Sequence, residues 1–186
     1  EDKPNFGIRA LPNLETKFVA ANTLIGIEKP KAQTSLFDMP KVKELEAQLK
    51  KVRSKLFSAK TKETKLKYRQ QDEALRNAIA TELKNSGWPN DTAEKLAAWD
   101  PYDQNATSTF FDPEWMFDVK EGFDVVIGNP PYIQIKDIPN QDKPYYKSNY
   151  QFATGRFNLF YFFIENSKRY SSIDGITSYI VPDRIL

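Results

Sequence analysis

The sequence predicts an α/β fold, part of an open parallel sheet interrupted by an inserted α-helical hairpin. Three observations lead there. A basic segment around residue 50 repeats apolar residues at helical spacing, two short apolar runs at residues 123–127 and 176–181 are bounded by glycine or proline, and an apolar, aromatic stretch of helical character separates those runs. Strand, loop, helix and strand in that order make a βαβ unit, whose crossover helix packs on one face of the sheet.

Composition narrows the chemistry before any element is placed. The chain has 186 residues, 27 Lys and Arg against 25 Asp and Glu for a net charge of +2, and neither His nor Cys. A Ser-His-Asp triad, a Cys-His dyad, an imidazole metal site, a thiolate nucleophile, a zinc ribbon and a disulfide frame are thereby excluded, and no metal is expected. Carboxylates, amides, tyrosines and backbone groups remain. The length allows one or at most two domains. No apolar run approaches the roughly 18–20 residues of a membrane span, and the start, Glu1-Asp2-Lys3-Pro4, resembles neither a signal nor a transit peptide. A cytoplasmic protein with no membrane partner is expected. The chain begins without Met and stops at Ile185-Leu186, directly after a strand-like run and a Pro-Asp turn, which reads as an internal portion of a longer protein.

Charge and periodicity divide the chain into residues 1–35, 36–95 and 96–186. In the first segment Thr16-Lys17-Phe18-Val19-Ala20 reads as a strand leading into Asn22-Thr23-Leu24-Ile25. The second is the insert. Residues 41–69 carry a charge of +8, and Val42, Leu45, Leu49, Val52 and Leu56 follow the 3-4 spacing of a coiled-coil seam. After a polar stretch, Tyr68, Leu75, Ile79 and Leu83 permit a second helix, ended by Asn85-Ser86-Gly87 and Pro89. Two heptads are too few for a free coiled coil, so the first helix must lie against the second or against another domain. Residues 85–128 carry −7 with Trp88, Trp99 and Trp115, and read as an ordered connector packing against the sheet. In the third segment Phe123-Asp124-Val125-Val126-Ile127, between Gly122 and Gly128, suits a buried parallel strand. Residues 158–170 form a helix, with Phe157, Phe160, Tyr161, Phe163 and Ile164 as its core stripe, and residues 176–181 form a strand closed by Pro182.

The chemistry is concentrated where the first of these strands ends, at Gly128-Asn129-Pro130-Pro131-Tyr132. Ligands of open α/β sheets bind beyond the carboxyl ends of strands, where this loop sits. Two prolines stiffen it and remove two amide donors, leaving the Asn129 side-chain oxygen and backbone carbonyls as an acceptor-rich surface beside an aromatic ring. Such a surface suits a planar ligand bearing an NH2 group, with both hydrogens accepted while the ring stacks on Tyr132. Adenine is such a ligand. Acceptors placed out of the ring plane favour a more tetrahedral nitrogen whose lone pair points at an electrophile, so orientation and preorganised electrostatics replace a strong base. Within a duplex the base must first be flipped out of the stack.

These residues resemble the signature of the amino-group DNA methyltransferases, Asp/Asn/Ser-Pro-Pro followed by an aromatic. More closely, residues 122–132 resemble the gamma-class adenine methyltransferases of bacterial restriction-modification and phage-defence systems, type IIG-like, in which methyltransferase and specificity domains share one chain. Residues 12–25, 157–165 and 175–182 resemble that family's further segments, although Asn158 stands where the family more often has Asp. The resemblance implies a Rossmann-like, S-adenosylmethionine-dependent sheet with the hairpin as an insertion. It assigns Asn129 and the Pro130 carbonyl to the adenine amine, Pro131 to the same loop, Tyr132 to the flipped base, and Asn22 with Asn129 to the cofactor. Double-stranded DNA is the implied partner. The seven glycines never form a Gly-x-Gly loop, so the family's main cofactor loop is expected upstream of Glu1 and its target-recognition domain beyond Leu186. On that reading these other domains of the parent chain are partners, and the fragment alone is inactive or nearly so.

Other readings stand beside it. Lys136, Lys143, Lys147 and Arg156, interleaved with Tyr145, Tyr146 and Tyr150, suit nucleic acid, and core packing explains the tyrosines as well. The +8 block suits DNA phosphates or a solvated helix surface. Methyltransferases that modify a glutamine side chain in release factors carry the same Asn-Pro-Pro-Tyr, and a noncatalytic coiled-coil interaction module is a rival of another class.

Overall fold

The computed structural model of the protein describes residues 11–28, 39–103, 105–155 and 157–182. They fall into two compact units divided between Phe117 and Asp118.

The first unit is built on the hairpin of α1 (Pro40–Phe57) and α2 (Lys62–Asn85), followed by α3 (Asn90–Ala98) and α4 (Pro113–Phe117). Pro40 opens α1 with a φ already suited to a helix. The Thr61 hydroxyl caps α2 by accepting from the Thr64 N–H at 3.2 Å. Its far end is a Schellman turn: Gly87, at φ +86°, lets the Trp88 N–H reach the Leu83 carbonyl at 3.1 Å. That turn delivers Trp88 into the core.

The seam of α1 is rotated from the expected one. Val42, Leu49 and Leu56 are buried as predicted, but Glu46 is buried too, while Leu45 and Val52 are only half-buried. The reason lies in the acidic connector. Trp88, Trp99 and Trp115 pack with Val42, Leu49, Ile79 and Leu83 in one core, so the connector covers the hairpin. Helix α1 thus meets more than one neighbour, and a two-helix heptad does not describe it.

An ion cluster lies inside this unit. Asp72, fully buried, accepts from Arg53 Nε at 2.7 Å and from Arg76 Nε at 2.8 Å. Arg76 also donates to the carbonyls of Ala97 and Trp99, and Arg53 to that of Trp115. Each guanidinium therefore ties a hairpin helix to the connector. The Tyr102 hydroxyl is held protonated well above its ordinary range, first by burial and then by the Asp72 charge.

The strand expected at Thr16–Ala20 does not form. Glu15–Lys17 is a 3-10 turn closed by the Lys17 N–H on the Leu14 carbonyl at 2.8 Å. Extended chain follows, with one parallel bridge between Ala21 and Ser108. Arg69 holds Glu15 at 3.0 Å, which fixes the turn against α2.

In the second unit β1 (Phe123–Gly128) pairs in parallel with β2 (Ser171–Tyr179), and between them run α5 (Lys143–Asn149) and α6 (Phe160–Tyr170). This is the expected βαβ order. Strand β2 starts five residues earlier than predicted and bulges between its pairings Phe123↔Ser171 and Val125↔Ile176. Gly122 and Gly175 make the bulge possible. A Cβ on Gly122 would lie 2.5 Å from the Ser171 carbonyl carbon, and one on Gly175 would lie 2.8 Å from the Phe123 oxygen.

Helix α6 lies against both strands. Its core stripe is corrected in part: Phe157 and Phe160 are buried, Tyr161, Phe163 and Ile164 are half-buried, and Phe162, not singled out by its spacing, is fully buried. Phe162 stacks on Tyr150 at 4.7 Å and meets Tyr146 at 5.1 Å, which is why both tyrosines lie inside. Strand β1 is also less buried than expected. Val125 and Ile127 are 59% and 75% exposed, beside Ile176 and Ile180 at 66% and 67%. A two-stranded sheet with helix on one side leaves its other face open. A larger Rossmann-like sheet is not formed by the described residues, and none of their helices is long and apolar enough to cross a membrane.

Candidate active site

The Asn129-Pro130-Pro131-Tyr132 loop leaves the carboxyl end of β1, as the sequence places it. Gly128 ends the strand against the Tyr179 ring; a Cβ there would lie 3.0 Å from the ring carbon Cε1. The Gly128 carbonyl accepts from the Ile180 N–H at 3.1 Å, so the parallel pairing continues to the loop itself. Pro130 is buried, whereas Asn129 and Pro131 are exposed. Among the described residues neither the Asn129 side chain nor the Pro130 carbonyl has a hydrogen-bond partner. Two acceptors thus stand free on a stiff support.

Tyr132 is held at two points. Its hydroxyl donates to the Ile180 carbonyl at 3.0 Å, and its ring meets Phe160 edge-on at 6.0 Å. The ring remains 49% exposed. It is therefore oriented by the end of β2 and the start of α6 while keeping surface for a ligand. The chain beyond it is fastened to the segment preceding α6. Leu159 N–H donates to the Ile133 carbonyl at 2.8 Å, Ile135 N–H to that of Phe157 at 3.1 Å, and Gln134 bridges Asn158 in antiparallel fashion. Asn158 is occupied structurally, its Oδ1 accepting from the Phe160 N–H at 3.4 Å.

A second set of side chains, missed in the sequence, fixes the loop before α6. Glu165 accepts from the Gln151 and Phe152 N–H groups at 3.0 and 3.2 Å, and Asn166 donates to the Tyr150 hydroxyl at 2.7 Å. Arg169 lies over the Tyr150 ring at 5.0 Å and donates to the Asn149 carbonyl. Burial pushes the Tyr150 hydroxyl above its ordinary range. The available signal was the Glu165/Arg169 spacing of four on a helix.

The basic candidates are scattered. Lys136 is exposed on the 3-10 turn Ile135–Asp137, Lys143 opens α5 and donates to Asn140 Oδ1 at 2.8 Å, and Lys147 is exposed in the last turn of α5. Arg156 lies outside the described residues. Tyr146 and Tyr150 face the core, so they are not a stacking surface for bases.

Asn22 belongs to the first unit. Its Oδ1 accepts from the Leu24 N–H at 3.1 Å and its N–H donates to the Ser108 carbonyl at 2.9 Å, which makes it the pivot of a turn. The side-chain amide nitrogen is left over. A cavity of about 520 Å³ lies in the same unit between Phe18, Ala20, Trp99, Asp100 and Thr107, and Asn22 does not line it.

Over 67 residues, 34% of this chain, the sequence is 33% identical to the type II restriction enzyme and methyltransferase RM.Eco57I of Escherichia coli. The matched portion is 7% of that protein's length. Residues 20–186 match the family described as Eco57I restriction-modification methylase, a span that holds residues 20–35 of the first segment, the hairpin and the whole of the third segment. The chain belongs to the Eco57I restriction-modification methylase family.

Proposed function

We propose that this chain is part of a site-specific, S-adenosylmethionine-dependent DNA methyltransferase of a restriction-modification or phage-defence system, acting on the exocyclic amine of a flipped adenine. The observation that carries the reading is the pair of unpartnered acceptors, Asn129 Oδ1 and the Pro130 carbonyl, beside the exposed face of Tyr132. In it the Asn129 oxygen and the Pro130 carbonyl each accept one amine hydrogen. Tyr132, oriented by Ile180 and Phe160, stacks on the base. The amine nitrogen, turned toward tetrahedral geometry, presents its lone pair; after transfer its surplus proton leaves to water, which reaches the exposed Asn129. Preorganised acceptors of this kind contribute without a general base.

When bound, the cofactor would supply a methyl group on a sulfonium, an electrophile whose sulfur keeps the bonding pair and leaves as a neutral thioether. Asn22 fits its adenine end: with Oδ1 already accepting from Leu24, the side chain offers an N–H donor, suited to a ring nitrogen. Asn129 is the second contact in this reading, and the glycine-rich loop lies elsewhere in the parent chain. The open face of Val125, Ile127, Ile176 and Ile180 supports such a parent, because an apolar run of this kind is made to be covered on both faces. Lys136, Lys143, Lys147 and Arg156 are the proposed DNA contacts, a downstream target-recognition domain reads the sequence, and the enzyme works in the cytoplasm.

The test counts labelled methyl groups transferred from S-adenosylmethionine by the full-length protein to duplex DNA and, separately, to a glutamine-bearing release factor. Label on DNA supports the reading. Label on the release factor alone replaces it with the glutamine substrate.

A further inference from the structure

The closed end of the α1–α2 hairpin carries charge that the fold does not use. Lys51 and Lys55 lie in the last two turns of α1, Lys60 in the connecting turn, and Lys62, Lys65 and Lys67 in the first two turns of α2. All but the half-buried Lys65 are exposed, and Glu63 is the sole acidic residue between positions 51 and 67. None of the six lysines forms an ion pair among the described residues.

The arginines of the same two helices behave in the opposite way. Arg53 and Arg76 hold Asp72, and Arg69 holds Glu15 and lies over the Tyr102 ring at 5.2 Å. The planar, bidentate cations are thus directed inward and the point-charge cations outward. The outward set costs stability. Lys51 and Lys55 repel each other at a spacing of four, and Lys62 and Lys65 stand at a helix N-terminus, where the dipole disfavours cations. Thr61 already caps that terminus, so the charge serves no local purpose.

We propose that this end of the hairpin is a contact for the phosphate backbone of duplex DNA, separate from the loop at the end of β1. It rests on the proposed function, in which duplex DNA is the substrate. Hydrated ammonium groups on long stems neutralise phosphates without reading bases, so the contact adds affinity and no sequence preference. A single-strand platform would need stacked aromatics, and one exposed ring, Phe57 at 39%, does not make one.

The test uses the full-length protein in three forms: wild type, a variant with Lys51, Lys55, Lys60, Lys62, Lys65 and Lys67 all changed to Gln, and one with all six changed to Arg. Binding to a labelled duplex is followed by fluorescence anisotropy between about 50 and 200 mM salt. The Gln variant, with unchanged circular dichroism and melting, binds at least about tenfold more weakly at low salt, and its slope of log affinity on log salt is shallower by roughly 3 to 5. The Arg variant keeps the wild-type slope. An unchanged affinity and slope in the Gln variant, or a loss confined to single-stranded RNA or an acidic polypeptide, overturns the proposal. Asn129-dependent DNA methylation beside an unchanged slope removes the hairpin contact alone; a reduced slope without any DNA methylation removes the catalytic reading and leaves the hairpin contact standing.

Discussion

At the scale of single residues, Asn129 and Tyr132 separate chemistry from folding unusually well. The Asn129 side chain touches no described hydrogen-bond partner, so Asn129→Ala is expected to leave stability unchanged while removing the acceptor proposed for the target amine. Its expected cost is about 10²- to 10³-fold in kcat, the size seen when one preorganised polar group is deleted. Tyr132 differs because its hydroxyl is engaged. Tyr132→Phe keeps the ring and loses the bond to the Ile180 carbonyl, at about 0.5–1.5 kcal/mol of stability. Tyr132→Ala also loses the stacking surface, worth about 1–3 kcal/mol for a base on an aromatic. Denaturant midpoints and DNA KM measured on both variants separate the two effects: a Phe variant as weak toward DNA as the Ala variant would show that the hydroxyl, not the ring, makes the contact.

At the scale of elements, legibility followed the source of the constraint. The Asn-Pro-Pro-Tyr loop and its place after a strand were readable, because prolines, glycine and a β-branched run act locally. So was the glycine stop of α2, whereas its Thr61 cap, lying within a polar stretch, was not singled out. The seam of α1 was not, because Glu46 is buried and Arg53 turned inward by partners far along the chain, and the tryptophans of the connector are equally able to cover a helix or a sheet. The strand expected before Asn22 failed for a related reason: the Arg69–Glu15 pair favours a 3-10 turn over a run that alternation alone would extend. Phe162 and Glu165 emerge only from packing. Two substitutions test these elements. Asp72→Ala strands Arg53 and Arg76 among buried groups and is expected to cost about 3–5 kcal/mol in urea unfolding, and a change below about 1 kcal/mol would contradict the ion cluster as a structural tie. Gly122→Ala, at φ +90° and with its Cβ against the Ser171 backbone, is expected to destabilise the β1–β2 pair by more than about 1 kcal/mol.

At the scale of the whole molecule, both units bury a tyrosine hydroxyl that holds its proton above the ordinary value of 10.0, Tyr102 in the first and Tyr150 in the second. Each binds its proton more tightly folded than unfolded. Their contribution to stability is therefore complete below about pH 10 and is lost as pH rises beyond it. Urea midpoints should hold steady up to that pH and fall above it, and a midpoint flat well into the alkaline range would contradict the burial of both hydroxyls. The open face of β1 and β2, the basic hairpin end and the loop with unpartnered acceptors are three surfaces that the described residues leave without cover. We assign them to the parent chain, the DNA backbone and the target base respectively. Of the three, the target base is the central claim. Duplex DNA incubated with S-adenosylmethionine and the full-length protein, digested to nucleosides and analysed by mass spectrometry, should contain N6-methyladenine with wild type and almost none with Asn129→Ala; a methylated cytosine, or methyladenine undiminished in the variant, would contradict it.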